Sequence, residues 1–463
     1  MSELHFATVR ELGRALRAGD TTPTELTRMY LERLDTVGRR LNAVVTITEE
    51  RALREAANAD AELRAGIDRG PLHGIPYGAK DLLAAVGYPT SWGAEPYRDQ
   101  VFPEDAYIVQ RLRDAGAILV GKLAMIELAG GTGYEQPNAS FTGPCMTPWN
   151  AQSWSGGSSS GSGATVAAGA VGFAIGSETQ GSIHSPSNNC GVSGLRPTYG
   201  RVSRRGAMAL SWTMDKLGPM ARSADDCGLI MNALAGHDPG DPTSLNLPYR
   251  YERADTPLRN LRFGVVEAEL AEAQPEVRAN FMESVAVLEE FGTVETVSIP
   301  ELPYSETGAI VIRSEMVTAF EQLVVSGEIN RLTATEGRVN ALAALGLPGD
   351  AYLKAMRVRR VIQRAFDSEL ARFDAFISPT SARVAAPIEG RFDAYDSSRT
   401  RRTFGAAVNL AGVPGIAVPN GFGERGLPTS LCITTRALEE NKALQIAHLY
   451  QLRTDWHRQH PAL

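Results

Sequence analysis

GGSSSGSGATVAAGAVGFAIGSETQGS, residues 156–182, consists of two serine-bearing, glycine-rich turns joined by a run of small residues. Glycine permits backbone conformations in which several N–H groups converge on one point. A serine hydroxyl beside such a point can attack a carbonyl carbon, because the N–H groups stabilise the negative charge that develops on the carbonyl oxygen. The stretch therefore predicts a nucleophilic serine in a tight turn.

Two short motifs nearby suggest other chemistry. Residues 157–161, GSSSG, fit the G-x-S-x-G turn of α/β-hydrolases, but that turn follows a strand and needs an acid and a histidine later in the chain. The seven histidines have no such motif context. Residues 116–123, GAILVGKL, approach a phosphate-binding P-loop, but Leu123 stands where that loop needs a hydroxyl for magnesium. Neither motif is favoured.

The stretch resembles the signature of the amidase signature family, in which a GGSSGGS turn is followed, after a spacer, by GGS-I-R-x-P. The matching pieces here are GGSSSGS at 156–162 and QGSIHSP at 180–186. Other segments match further blocks in the family order, and together they cover most of the chain. These segments are 71–83 (PLHGIPYGAKDLL), 116–125, 142–150, 190–204, 210–226 and 408–421.

The resemblance implies a serine–serine–lysine relay. Carried over by motif, Ser182 is the nucleophile, Ser158 is the bridging serine and Lys80 is the base. Lysine accepts a proton only when it is neutral, and its ordinary pKa is roughly 10.4, so the pKa must fall. Burial would supply that shift, and the small and apolar neighbours in PYGAKDLL predict burial of Lys80. Asp81 is expected to point elsewhere, because neighbours alternate faces in an extended segment.

The resemblance also implies an oxyanion site and a substrate pocket. The oxyanion donors are expected among the backbone N–H groups of Thr179, Gln180, Gly181 and Ser182. The substrate-pocket candidates are Met125, Ser155, Gln180 and Arg359. Variable pocket segments are expected at about 310–350 and 385–405.

Three residues beside the turns depart from the family pattern. His184 stands where many members have arginine, Ser160 replaces a glycine, and Glu178 replaces the usual aspartate. None of them is a proposed catalytic residue, so the departures bear on rate and specificity more than on the type of reaction.

Composition narrows the function classes. The net charge of −7, without a long basic cluster, argues against nucleic acid or an anionic membrane as a partner. The four cysteines are widely spaced, which predicts reduced thiols and no metal site. The N-terminal residues lack an apolar signal core, which indicates a cytoplasmic protein. We expect no cofactor, and we expect a monomer or homodimer acting on a small molecule.

The predicted fold class is α/β, with a central mixed β-sheet covered by helices on both faces. Residues 1–65 are expected to form an N-terminal helical layer, and residues 66–463 the amidase signature α/β domain, as one unit overall. Within these, the sequence predicts a helix start at Thr22–Glu25, a helix-like tract over 163–175, a loop over 237–260, and a strand over 261–266.

The sequence leaves two functions open. The favoured one is a stand-alone serine amidohydrolase that cleaves linear amides, with aryl esters, anilides or carbamates as an extension. The alternative is an amidotransferase component, because the chain is also similar to the glutamine-hydrolysing subunits of glutamyl-tRNA(Gln) amidotransferases, which release ammonia for a partner. Arg359 matches the arginine that binds the glutamine carboxylate there. Arg402 falls near the position of an aspartate for the amino group, which speaks against this alternative.

Overall fold

The computed structural model describes residues 4–253, 258–397 and 403–463. The strands of these residues are β1 (Val44–Ile47), β2 (Pro76–Lys80), β3 (Ile118–Leu123), β4 (Met146–Thr147), β5 (Asn150–Trp154), β6 (Phe173–Glu178), β7 (Ser193–Arg196), β8 (Lys216–Ala221), β9 (Leu261–Val266), β10 (Gly292–Val297), β11 (Ala375–Pro379), β12 (Gly415–Phe422) and β13 (Pro428–Thr434).

The α-helices of the same residues are α1 (Val9–Ala18), α2 (Pro23–Arg33), α3 (Glu49–Arg64), α4 (Tyr107–Asp114), α5 (Ser160–Ala167), α6 (His184–Cys190), α7 (Ala224–Leu234), α8 (Pro275–Glu289), α9 (Tyr304–Ala319), α10 (Glu321–Val325), α11 (Thr335–Ala344), α12 (Gly349–Leu370), α13 (Phe392–Tyr395), α14 (Phe404–Ala411) and α15 (Glu440–Arg453). Among these described helices, none combines the length and apolar character needed to cross a membrane.

A mixed sheet organises the fold, as the sequence predicts. Over the described residues it has 11 strands, in the order β1-β3-β2-β6-β8-β7-β12-β13-β11-β9-β10. Strands β3, β2 and β6 run parallel, whereas β8 is antiparallel to β6. Side chains of β6 alternate between two cores, since Phe173 and Ile175 belong to one cluster and Ala174 to another. Both faces of the sheet are therefore buried under helices.

The N-terminal segment contributes to this sheet. Residues 1–65 contain α1, α2 and α3, and they also supply β1, which pairs antiparallel with β3. The helix start predicted at Thr22 is confirmed: the Thr22 side chain accepts the Glu25 N–H, and the Glu25 carboxylate accepts the Thr22 N–H at 2.9 Å. Such a capping box satisfies two N–H groups that a helix end leaves free.

The small-residue tract differs from its prediction. A helix was expected across 163–175, but α5 ends at Ala167 and strand β6 begins at Phe173. Gly169 has a φ of 61°, a conformation that glycine adopts readily and that stops the helix. Alanine and glycine residues are small enough for both close helix packing and a buried strand, so composition did not locate the break.

Other predictions hold. Strand β9 covers the predicted 261–266, and the described residues of the predicted loop 237–260 contain neither helix nor strand; residues 254–257 lie outside the described part. The near-P-loop residues 118–123 form β3, which excludes a phosphate loop there. All four cysteines are buried and free of disulfides.

The sheet also positions the site. Strands β2 and β6 are neighbours and parallel, with Ala79 opposite Ile175. The carboxyl ends of parallel neighbours meet at the same edge of a sheet. Lys80, the last residue of β2, therefore lies beside the end of β6 and the turn that follows it.

Candidate active site

Lys80 is fully buried and contacts three serines. Its Nζ lies 2.7 Å from Ser158 Oγ, 3.1 Å from Ser159 Oγ and 2.9 Å from Ser177 Oγ. Ser158 was expected near Lys80, whereas Ser159 and Ser177 were not singled out from the sequence. Asp81 pairs instead with Lys122, at 2.8 Å between Oδ1 and Nζ, so its carboxylate is neutralised elsewhere.

The hydrogen-bond pattern directs the Lys80 amine. The Ser159 hydroxyl donates to the Ser177 carbonyl at 3.1 Å, so Ser159 Oγ can only accept from Lys80. A neutral amine has two N–H groups and one lone pair. If the two N–H groups are donated to Ser159 and Ser177, the lone pair is directed at the Ser158 hydroxyl. This arrangement suits Lys80 to accept a proton from Ser158.

Burial also adjusts the protonation of Lys80. Desolvation lowers the pKa of the Lys80 amine from 10.5 to about 7, although the carboxylates of Asp215 and Glu178 oppose the shift. A lysine with such a pKa has a large neutral fraction near neutral pH, which a general base requires.

Ser182 lies on the wall of a cavity of about 410 Å³, in the turn after β6. The Ser159 N–H donates to the Ser182 carbonyl at 3.2 Å, which ties the two serine turns together. The peptide bond between Gly157 and Ser158 is cis. Among the described residues, no hydrogen bond joins the hydroxyls of Ser158 and Ser182. The structure therefore contains the Lys80–Ser158 contact of the expected relay and not the Ser158–Ser182 contact.

The turn also presents backbone donors to the cavity. Gln180, Gly181 and Ser182 all line it, and Gly181 has a φ of 86°. Within the described part of the chain, the N–H groups of these three residues donate to no protein atom. Successive free N–H groups around a left-handed glycine form a concave anion site, which matches the expected oxyanion position. Thr179, whose N–H is also an expected oxyanion donor, lines the cavity too, and its hydroxyl donates to Asp215 Oδ1 at 2.6 Å.

A buried cluster of charged residues around Glu178 contacts the backbone that follows the Ser182 turn. Glu178 Oε2 accepts the N–H groups of Ile183 at 2.9 Å and His184 at 3.1 Å, and Glu178 Oε1 pairs with Arg196 at 3.0 Å. Burial opposes ionisation of Glu178, but His184, Arg196 and Lys216 outweigh it and hold the pKa of the carboxyl well below its usual range. The residues that depart from the family pattern at 178 and 184 thus interact with each other.

His184 is held by its ring. Its Nε2 lies 2.9 Å from the Gly415 carbonyl oxygen, and the residue lines the cavity. Burial alone lowers the pKa of the imidazole, but the attraction of Glu178 exceeds this and raises it above 6.5. Ser160, the other departure, donates to the Ala124 carbonyl at 3.2 Å and does not contact the lysine.

The predicted pocket residues separate into two groups. Gln180 lines the cavity, whereas Met125, Ser155 and Arg359 lie outside its lining. Met125 is buried in the main hydrophobic core, and Ser155 is buried with its carbonyl accepting from the Cys190 thiol at 3.4 Å. The assignment of these three residues to a substrate pocket stays a prediction from the sequence. The variable segments do contribute to the wall, through Ile312, Phe404 and Gly405.

Each guanidinium nitrogen of Arg359 has a protein partner. Its Nε donates to the Leu410 carbonyl at 3.0 Å, Nη1 to Thr213 Oγ1 at 2.6 Å and Nη2 to the Thr213 carbonyl at 2.8 Å. These bonds join α12 to α14 and to the loop before β8. The sequence motif identified the residue but could not show that three of its five N–H groups are donated to the protein. Arg402 lies outside the described residues.

Sequence reasoning also missed Asp215 and Lys216. Asp215 binds Thr179, and its Oδ2 accepts the N–H groups of Leu210 at 2.8 Å and Ser211 at 3.0 Å. Both residues lie in the matched block 210–226, whose resemblance to the family pattern assigns no role to either charge. A lysine and an aspartate inside an otherwise buried-strand pattern were the available signal.

Comparisons with known proteins find similarity along most of the chain. A family model described as Amidase matches residues 25–444. The chain is 37% identical to a glutamyl-tRNA(Gln) amidotransferase subunit of Moorella thermoacetica, over 100% of this chain and 99% of that protein.

Solved structures show the same similarity. The native peptide amidase of Stenotrophomonas maltophilia superposes with a TM-score of 0.83 at 31% identity, over 97% of both chains. The corresponding glutamyl-tRNA(Gln) amidotransferase subunit of Thermotoga maritima gives a TM-score of 0.81 at 26% identity, over 100% of this chain and 98% of that one. The chain is thus similar along its whole length to proteins of two kinds, an amidase and an amidotransferase component.

Proposed function

The chain belongs to the amidase signature family, and on that premise we propose that it hydrolyses the C–N bond of an amide through an acyl-enzyme on Ser182. The observation that carries this proposal is the buried Lys80 amine, 2.7 Å from Ser158 and next to a cavity-lining serine turn. The three residues have the types and surroundings that a serine–serine–lysine relay needs.

The reaction begins with proton transfer. Neutral Lys80 takes the proton of Ser158 while Ser158 takes the proton of Ser182, and Ser182 Oγ attacks the amide carbon. The free N–H groups of the turn stabilise the negative oxygen of the tetrahedral intermediate. Lys80 then returns the proton through Ser158 to the leaving nitrogen, and the C–N bond breaks. Water cleaves the acyl-enzyme by the same steps in reverse.

The curated relatives support the amidotransferase alternative better than the stand-alone hydrolase that the sequence favoured. A relative that is 37% identical over its whole length is named as one component of an amidotransferase. That name also counts against the expectation of a chain acting without partner chains or nucleic acid. Release of ammonia from glutamine for a partner is therefore the better supported specific form of the proposed amide hydrolysis.

One observation favours the stand-alone form. The amidotransferase pattern uses the arginine at 359 for the glutamine carboxylate, but here the Arg359 guanidinium is buried and bound to Thr213 and Leu410. These bonds use three of the five guanidinium N–H groups, which leaves at most two for a substrate carboxylate. The similarity to a peptide amidase at 31% identity agrees with this form.

A labelling experiment tests the common step. Ser182→Ala should abolish amide hydrolysis while the folded state is retained, and a sulfonyl fluoride should label Ser182 in the wild-type protein. Ser160→Ala is the matched control, because Ser160 lies in the same glycine-rich turn and its hydroxyl donates to the Ala124 carbonyl. An active Ser182→Ala variant, with the label on another residue, would overturn the proposal.

A substrate panel separates the two forms. The measurement is kcat/KM of the isolated chain for glutamine, aliphatic amides, anilides and carbamates, without ATP or tRNA. A preference for neutral amides supports the stand-alone form. A preference for glutamine that appears only after partner chains are added supports the amidotransferase form.

A further inference from the structure

Lys216 is a second buried lysine that the proposed mechanism does not use. It is the first residue of β8 and is paired in register with Glu178, the last residue of β6. Its Nζ donates to the Thr179 carbonyl at 3.1 Å and to Asn409 Oδ1 at 2.8 Å. The amine therefore lies directly behind the turn that carries the free N–H groups.

The contact fixes the orientation of one peptide unit. The Thr179 carbonyl and the Gln180 N–H belong to the same planar peptide, and in a trans peptide these two groups point in opposite directions. Because Lys216 holds the carbonyl on the protein side, the Gln180 N–H points away from Lys216. Gln180 lines the cavity, and its N–H donates to no described protein atom.

Two further contacts make this anchor rigid. The Thr179 hydroxyl donates to Asp215 Oδ1 at 2.6 Å, so Thr179 is held through its side chain as well as its carbonyl. Asn409 Nδ2 donates to the Gly405 carbonyl at 2.9 Å, which turns Asn409 Oδ1 towards Lys216. The position of the amine is thus set from two sides.

We propose that Lys216 is a positioning residue, which aims the Gln180 N–H at the developing oxyanion and polarises it. A donor bound to the carbonyl of a peptide draws electron density from that peptide and strengthens its N–H as a donor. The inference rests on the proposed function, since it assigns a role in stabilising the same tetrahedral intermediate. Lys216 itself does not line the cavity and acts through Thr179.

The anchor does not depend on one protonation state. Burial lowers the pKa of the Lys216 amine to about 7, with Glu178 and Asp215 opposing the shift and Arg196 and Arg359 adding to it. A neutral amine keeps two N–H groups, enough for its two acceptors. The orientation of the Gln180 N–H therefore persists when the Lys216 amine loses its proton, and only the polarisation of the Thr179–Gln180 peptide weakens.

The test compares Lys216→Met with Lys216→Gln. Methionine removes both donors and keeps an apolar stem, whereas glutamine retains an N–H that can reach the Thr179 carbonyl. Removal of an oxyanion donor costs about 10²–10³ in kcat, and a misaimed donor costs part of that. We expect Lys216→Met to lower kcat about ten- to hundred-fold with little change in KM, and Lys216→Gln to recover part of the loss.

A binding measurement distinguishes this role from general support of the fold. Phenylboronic acid forms a tetrahedral adduct with a serine nucleophile, whereas benzamide stays planar. In Lys216→Met the affinity for phenylboronic acid should fall in parallel with kcat, while the affinity for benzamide stays near the wild-type value. Lys354→Met, at an exposed lysine of α12, is the control and should behave as the wild type.

Each outcome is decisive. Unchanged kcat in folded Lys216→Met, equal losses for both probes, or no recovery in Lys216→Gln would overturn the inference. If Lys216→Met does not fold, Lys216→Leu removes the same donors and is measured in the same way. Inactive Ser182→Ala beside fully active Lys216→Met refutes only the role of Lys216, whereas active Ser182→Ala refutes the proposed function.

Discussion

Replacing Lys80 with methionine removes the proposed base and keeps an apolar stem of similar length. General base catalysis is worth about 10²–10⁴ in rate, and the relay to Ser158 is lost as well. We expect amide hydrolysis to fall by at least about a thousand-fold in a folded protein. Lys354→Met, at an exposed position on α12, is the matched control and should retain full activity.

The dependence of kcat/KM on pH in the wild-type protein is a second test of the role of Lys80. Only neutral Lys80 can act, and burial lowers the pKa of its amine to about 7. With that pKa the neutral fraction rises from roughly 1% at pH 5 to roughly 99% at pH 9. Therefore kcat/KM should rise about a hundred-fold over this range and level off above pH 8. An amine with an ordinary pKa would give a rise that continues beyond pH 9.

The same shift has a consequence for stability. Unfolded lysine has a pKa of about 10.4, so between pH 7 and that value the unfolded state binds more protons and the folded state gains stability as pH rises. Below pH 7 the amine is charged in both states, and the desolvation of that buried charge makes the folded state less stable there than at higher pH. Lys80→Met should therefore stabilise the protein most at acidic pH, as measured by urea unfolding.

Two results would refute this reasoning. The first is a kcat/KM that is independent of pH from 5 to 10, since a titrating lysine base must produce a slope. The second is a Lys80→Met variant that folds and retains activity. Either result would remove Lys80 from the mechanism, and labelling of Ser182 would then point to a different base.

Three further substitutions have distinct expected outcomes. Ser177→Ala should lower kcat several-fold with KM unchanged, because the Lys80 amine loses one of the acceptors that direct its lone pair; an unchanged kcat would contradict that role. His184→Ala should lower the rate without abolishing it, and complete loss in a folded variant would make His184 catalytic. The attraction between His184 and Glu178 raises the imidazole pKa above 6.5. The stability that this pair contributes is therefore full below pH 6.5 and is lost as pH rises through the folded-state pKa. In urea unfolding, His184→Ala should lose more stability at pH 5.5 than at pH 9. Arg359→Met should destabilise the fold by about 2–4 kcal/mol, because buried acceptors lose their donors, whereas a raised KM for glutamine at unchanged stability would place Arg359 in the substrate site.

The parts of the structure that depend on interactions within a short stretch of chain were predictable from the sequence. The helix start at Thr22 depends on bonds between residues three apart, so its pattern is legible in the chain. The strand at 261–266 is a short apolar run after a loop, and it forms β9. The serine-rich turns and the lysine segment identified the family because they are contiguous motifs, and the family implied the mixed α/β sheet.

Contacts between distant segments could not be predicted in this way. Lys80 meets Ser158 and Ser177 across 78 and 97 positions of sequence, because β2 and β6 are parallel neighbours whose carboxyl ends coincide. The motifs named Lys80 and, among its three serine contacts, only Ser158. The two acceptors of the Lys80 N–H groups, Ser159 and Ser177, became visible only in the folded structure.

The sequence by itself determined the family, since the family is carried by short contiguous patterns, and from the same patterns it predicted the nucleophile turn and the lysine base. The tertiary structure decided which groups the charged side chains Arg359 and Lys216 contact. It occupies the Arg359 guanidinium with Thr213 and Leu410, and it places the Lys216 amine against the Thr179 carbonyl. The hydrogen-bond partners and the burial of a charged side chain depend on all of its neighbours in space. Those neighbours come from strands and helices that are far apart along the chain.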